Sequence, residues 1–175
     1  ALADSPLPEA GPGQGRVRMQ LSPIHNHDQW TVRGQYGYKP TLPAIAGSEA
    51  FGIVDAVGEG VEGVAIGQRV TTAGARGAWA EYFVVPAASL VPVPDAIDDA
   101  SAAQLVAMPL SALMLLEMLD VAAGDWIVQN AANGAVGKAL AMLARARGVN
   151  VLNLVRREEG IEEMAAQGIG NTVCT

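Results

Sequence analysis

Apolar and polar positions alternate in short runs through the first half of the chain. Over 15–21 the apolar positions Val17, Met19 and Leu21 recur every second residue, and 49–57, 68–72 and 80–85 carry comparable runs. That period puts successive side chains on opposite faces and predicts half-buried strands. Turns such as Gly58-Glu59-Gly60 and Gly34-Gln35-Tyr36-Gly37 punctuate the runs. Several short strands with closely spaced turn signals predict a small antiparallel barrel or sandwich. From Ile97 the period lengthens. Asp98-Asp99-Ala100-Ser101 opens a helix reaching Leu105, and Pro109-Leu110-Ser111 caps another that runs to Leu119. A strand at 127–129, a helix over 139–147, a strand over 149–155, a helix over 158–167 and the start of a strand at 171–175 follow. The expected division is a β-rich domain over 1–105 and a βαβ unit over 106–175.

The join between the strand at 127–129 and its helix carries the strongest chemical signal. Ala132, Gly134 and Gly137 give A-x-G-x-x-G, a variant of the dinucleotide fingerprint, placed after a strand and before a helix. Backbone N–H groups at such a helix start, aligned with its dipole, can hold a diphosphate. Asn130, Asn133, Gly134, Ala135, Val136 and Gly137 are therefore candidate cofactor contacts. A tight strand-to-helix turn without a ligand is the alternative.

The end of the next strand distinguishes the nucleotides. A carboxylate there accepts hydrogen bonds from a ribose 2′-hydroxyl, whereas a 2′-phosphate requires positive charge. The chain reads Val155-Arg156-Arg157, with its first carboxylate at Glu158. Planar guanidinium groups suit a phosphate dianion, so Arg156 and Arg157 favour NADP(H) over NAD(H). Solvated loop charges are the competing reading.

Composition narrows the class. The 175 residues are 50% hydrophobic and 17% charged, typical of a globular protein with a sizeable core. A formal net charge of −7 argues against a nucleic-acid surface. Cys174 is the one cysteine, which excludes a disulfide framework and a cysteine-based zinc site. No run of 18 apolar residues or signal peptide occurs, so a soluble, cytoplasmic protein is expected. The apolar stretch 107–119 is too short to span a bilayer and reads as a buried helix.

The run Gly52-Ile53-Val54-Asp55-Ala56-Val57-Gly58-Glu59-Gly60-Val61, continued by Gly67-Gln68-Arg69-Val70, resembles the G-x-V-x-x-V-G-x-x-V-x-x-x-x-x-G-D-R-V signature of medium-chain dehydrogenase/reductases. Gly77-Ala78-Trp79-Ala80-Glu81-Tyr82 is similar to the family's G-[AS]-[YW]-A-E-Y element. The resemblance covers nearly the whole chain and stops where a complete member needs about as many residues again. It implies a GroES-like β-barrel domain, lacking its first strand, followed by the first part of a Rossmann domain for the nicotinamide cofactor. It also implies a homodimer at full length.

Many family members hold a catalytic zinc with Cys, His and Cys. Here His25 occupies the first ligand position, Ser48 the second, and no cysteine lies near Met108, so no metal site is expected. His25 and His27 are expected in a polar turn. Zinc-less members include 2-enoyl-thioester reductases and quinone oxidoreductases. Arg33-Gly34-Gln35-Tyr36-Gly37-Tyr38-Lys39-Pro40-Thr41-Leu42-Pro43 resembles the enoyl reductases' G-x-Y-x-x-x-P-x-L-P loop, whose tyrosine is the proton donor. The resemblance thus implies catalysis by Tyr36, with an aromatic loop anchor as the alternative. His25 replaces the asparagine of the usual I-N-P-x-D turn and is a second proton-relay candidate. Ser111 stands where members contact the nicotinamide. The expected reaction is NADPH-dependent reduction of an activated C=C bond, first of a 2-enoyl thioester. Alternatives are a quinone substrate, a zinc-type alcohol dehydrogenase relative, or a non-catalytic NADP(H)-binding protein.

Overall fold

The computed structural model describes residues 2–175 and divides into two compact units, one ending at Ala107 and the other spanning Met108–Thr175. The first contains β1 (Gln14–Leu21), α1 (Asn26–Val32), β2 (Glu49–Val57), β3 (Arg69–Ala73), β4 (Tyr82–Pro86), β5 (Val91–Pro92) and α2 (Asp99–Ala102). Its strands form one antiparallel sheet in the order β4-β1-β2-β3-β5. Val17, Val54, Val70, Phe83 and Val85 meet on the inner side as its core. The pairing of β1 with β2 slips between Met19 and Leu21, opposite Gly52. A Cβ on Gly52 would lie 2.4 Å from the Arg18 carbonyl oxygen, so only glycine admits that close approach.

Three expectations need correction here. The strand expected over 80–85 starts at Tyr82. Further upstream the amides of Ala78 and Trp79 donate to the carbonyls of Gly47 and Ala46 instead of to a neighbouring strand, and only the Glu81 carbonyl, which accepts the Met19 amide, still reaches β1. The helix expected to reach Leu105 stops at Ala102. Beyond it Gln104 and Leu105 bond back three residues, to Ser101 and Ala102, in tight turns. Finally, the expected polar turn at His25 and His27 is α1. His25 is its N-cap, and Asp28 accepts the His25 amide through Oδ2 at 3.2 Å. With Trp30 and Val32 both exposed, its seven residues carry no buried apolar stripe from which periodicity could announce a helix.

The second unit holds α3 (Ala107–Leu119, its first residue in the preceding unit), β6 (Trp126–Gln129), α4 (Ala135–Ala146), β7 (Asn150–Val155), α5 (Glu159–Ala165) and β8 (Thr172–Cys174). The strands are parallel in the order β6-β7-β8. Ala112 and Leu116 of α3 pack with Leu140 and Ala144 of α4 against Ile127 and Val151. Met164 of α5 closes the same side further along, against Val155 and Ala141. The opposite side of the sheet keeps Trp126, Val128 and Val173 exposed. α4 starts at Ala135 rather than at 139, because the small residues of the fingerprint form its first turn. No helix among the described residues is long and apolar enough to cross a membrane.

Candidate functional site

In the second unit, β6 ends at Gln129 and the chain bends through Asn130–Gly134 into α4, with Ala131 at φ +48° and Gly134 as N-cap. Ala135, Val136 and Gly137 are the first helical residues, whose N–H groups lack intrahelical partners. Gly137 lies so close to the bend that a Cβ would sit 2.5 Å from the Ala132 oxygen and 2.7 Å from its Cα. A Cβ on Gly134 would meet the Ala131 oxygen at 3.2 Å. The missing side chains thus shape a bend that a larger residue would fill.

An amide network fixes this bend from below. Gln129 Nε2 donates to the Gly137 carbonyl at 2.9 Å and to Asn153 Oδ1 at 2.6 Å. Asn153, 1% exposed within β7, donates onward through Nδ2 to the Gly170 carbonyl at 2.9 Å. Asn133 reaches sideways, its Nδ2 donating to Glu163 Oε2 at 3.3 Å. Arg156 and Arg157 follow β7 directly, are exposed, and engage no acid among the described residues. Because β6 and β7 are parallel neighbours, the bend and both arginines share the carboxyl end of the sheet, where doubly wound folds bind ligands. Asn130 is exposed at the start of the bend, and Ser111 lies in the second turn of α3.

In the first unit the chemistry gathers around the start of β2. Glu49 is fully buried, and its carboxylate is saturated. Oε2 accepts from His25 Nε2–H at 2.6 Å, and Oε1 accepts the amides of Val106 at 2.9 Å and Ala107 at 2.8 Å. A buried carboxylate persists only with such partners. Next to it Ser48 Oγ lies 2.6 Å from His27 Nε2. The two imidazoles stack at 5.0 Å between centroids, and the Tyr36 ring tilts against His27 at 5.7 Å. Tyr36 is 45% exposed, whereas the His25 side chain is 11% exposed. The structure therefore brings Tyr36, His27, His25 and Glu49 into one row, from the surface inward.

His25, a relay candidate by sequence, has its Nε2 engaged by Glu49, which directly follows Ser48 and which the sequence reading does not single out. A charged residue opening an otherwise buried strand is the signal that marks it. Among the described residues no group of three or more His, Cys, Asp and Glu is arranged to hold a metal ion.

The family described as the alcohol dehydrogenase GroES-like domain matches residues 11–95. The mitochondrial enoyl-[acyl-carrier-protein] reductase of Homo sapiens is 37% identical over 152 residues, covering 86% of this chain and 41% of that protein. The quinone oxidoreductase of Pseudomonas syringae pv. Tomato DC3000 superposes with a TM-score of 0.89 at 31% identity, over 98% of this chain and 53% of that one. The quinone oxidoreductase of Thermus thermophilus, also solved in complex with NADPH, gives 0.86 at 28% identity, over 98% and 55%. The chain thus spans about half the length of these relatives. With its GroES-like sheet and the strand–bend–helix that follows, it belongs to the medium-chain dehydrogenase/reductase superfamily.

Proposed function

We propose that the protein is an NADP(H)-dependent reductase of activated C=C bonds, acting without catalytic zinc, with a 2-enoyl thioester as substrate. The observation that carries this reading is the glycine-shaped bend into α4 beside two acid-free arginines at the end of β7. The N–H groups of Ala135, Val136 and Gly137 would face the diphosphate, with Gly134 leaving room for it. Arg156 and Arg157 would hold the 2′-phosphate, and Asn130, Asn133 and Ser111 would supply polar contacts along the cofactor. When bound, NADPH supplies a hydride.

The chain's own residues supply the proton. Tyr36, the most exposed residue of the aromatic row, would donate through its Oη to the substrate carbon next to the carbonyl. His25 holds the row in place, since its Nε2–H is committed to Glu49. With His25 and Glu49 satisfying one another and Ser48 turned to His27, the donor set does not suit a zinc ion. A homodimer and a cytoplasmic location belong to the same reading, testable by sedimentation and cell fractionation.

Quinone reduction is the second reading, favoured by the quinone oxidoreductases among the superposable structures. Stopped-flow NADPH oxidation by the full-length protein, with crotonyl thioester and naphthoquinone in parallel, separates the two. Thioester turnover that drops in Tyr36→Phe supports the enoyl reading. Naphthoquinone turnover indifferent to that substitution, with an inert thioester, replaces it.

A further inference from the structure

We propose that His27, held by Ser48, is the positioning residue behind Tyr36 and returns the proton that Tyr36 gives away. The inference rests on the enoyl-reductase reading above. His27 Nε2 lies 2.6 Å from Ser48 Oγ, which fixes the ring at one edge. On one face it stacks on His25, whose own Nε2 is pinned by the buried Glu49. The Tyr36 ring approaches it at 5.7 Å between centroids, tilted by 30°, which sets the phenol ring beside the imidazole. The His27 side chain is 27% exposed, so it also reaches solvent.

Position and exchange are thus combined in one ring. A histidine locked on both nitrogens or fully buried could not recharge, and a freely rotating one could not orient the phenol. Ser48 lets the ring change protonation without moving, because a hydroxyl both donates and accepts. With Nε2 held by this hydroxyl, the proton passed towards Tyr36 leaves from Nδ1, and the neutral ring keeps its Nε2–H on Ser48 Oγ.

The proton balance closes. The alkene gains a hydride at one carbon and a proton at the other. That proton leaves Tyr36 Oη as the O–H bond breaks and a C–H bond forms. The phenolate takes a proton from the His27 imidazolium, and the imidazole is recharged from water. Each turnover consumes one hydride and one solvent proton. The titratable groups facing His27 are Asp28, with Oδ1 at 3.7 Å from Nε2, His25 with Glu49 behind it, and Tyr36.

The test is steady-state and single-turnover kinetics of the full-length protein with crotonyl thioester, in H2O and D2O, across pH 5–9. His27→Phe keeps a ring between His25 and Tyr36 and removes the exchangeable proton. We expect kcat to fall about 10- to 100-fold with KM within about twofold. The solvent isotope effect should rise, and the pH dependence of kcat should flatten. The Tyr36→Phe/His27→Phe pair should be no slower than Tyr36→Phe alone, because the two act as one unit. Ser48→Ala, a smaller change, should reproduce part of the loss if the aromatic substitution disturbs folding. Wild-type kcat in both His27→Phe and Ser48→Ala, or losses that multiply in the double variant, overturns the proposal and leaves the reductase reading standing. A wild-type protein inert toward the thioester overturns that reading and the relay together.

Discussion

Glu49 and His25 share a 2.6 Å hydrogen bond in which the carboxylate is wholly buried and also accepts the amides of Val106 and Ala107. One side chain therefore joins the N-cap of α1, the start of β2 and the segment that leads into α3. Glu49→Ala would strand an imidazole donor and two backbone amides together. Leaving buried donors without their acceptor costs about 1–3 kcal/mol each. We expect a loss of that order in urea unfolding, with Glu49→Gln losing less because its amide oxygen still accepts. A Glu49→Ala midpoint equal to wild type would refute the anchoring role.

Gly137 and Ala132 define the second expectation. A Cβ at Gly137 would meet backbone atoms of Ala132 at 2.5, 2.7 and 2.9 Å, and backbone cannot swing aside as a flexible side chain would. Gly137→Ala should destabilise by about 1–3 kcal/mol as α4 is pushed off the bend. NADPH binding by calorimetry should weaken more than general folding does. Unaltered affinity in a folded Gly137→Ala protein would dissociate the bend from the cofactor.

Arg156 and Arg157 bear on cofactor choice. Charge-assisted hydrogen bonds contribute roughly 1.5–3 kcal/mol each, about a factor of ten or more in Kd. Arg156→Ala/Arg157→Ala should thus weaken NADPH at least tenfold and change NADH by no more than about threefold. Parallel fluorescence titrations read both. An equal loss for the two nucleotides would remove the 2′-phosphate assignment.

Asp98 supplies a pH-dependent element away from either locus. Its carboxyl is held below the ordinary carboxylate range, first by the Ser101 amide and then by the Ser101 hydroxyl, against a small opposing effect of desolvation. The ionised form is thus the one the fold favours. Its contribution to α2 is complete above about pH 4, the ordinary aspartate value, and disappears as pH falls through the lowered folded value. Carbon-detected NMR should show Asp98 titrating below the ordinary aspartate value, and Asp98→Asn should flatten that part of the acid-unfolding curve. Titration of Asp98 at the ordinary aspartate value would contradict the cap.

What can be read from the amino acids follows from how local each signal is. β2 is legible at both ends, since Gly58 terminates an uninterrupted run that begins at Glu49. The bend before α4 is equally visible, because its geometry is set by neighbours in sequence. α1 is not. Its start is fixed by a side chain–backbone bond at Asp28, and its large apolar residues, Trp30 and Val32, face outward while the buried one is Asp28. The aromatic row is hidden for a different reason. His25–Glu49 and His27–Ser48 connect residues 24 and 21 positions apart, and only the return of the chain from α1 to β2 brings them together. In a motif Ser48 looks like a lost ligand; in space it is a partner for His27.

The strut from Gln129 through Asn153 to Gly170 has one more outcome. Its amide donors are spoken for before any nucleotide arrives, so the loop that would receive phosphate is set during folding instead of upon encounter. Association there should resemble a rigid key entering a rigid lock, with little ordering entropy to overcome and an on-rate governed by diffusion and charge.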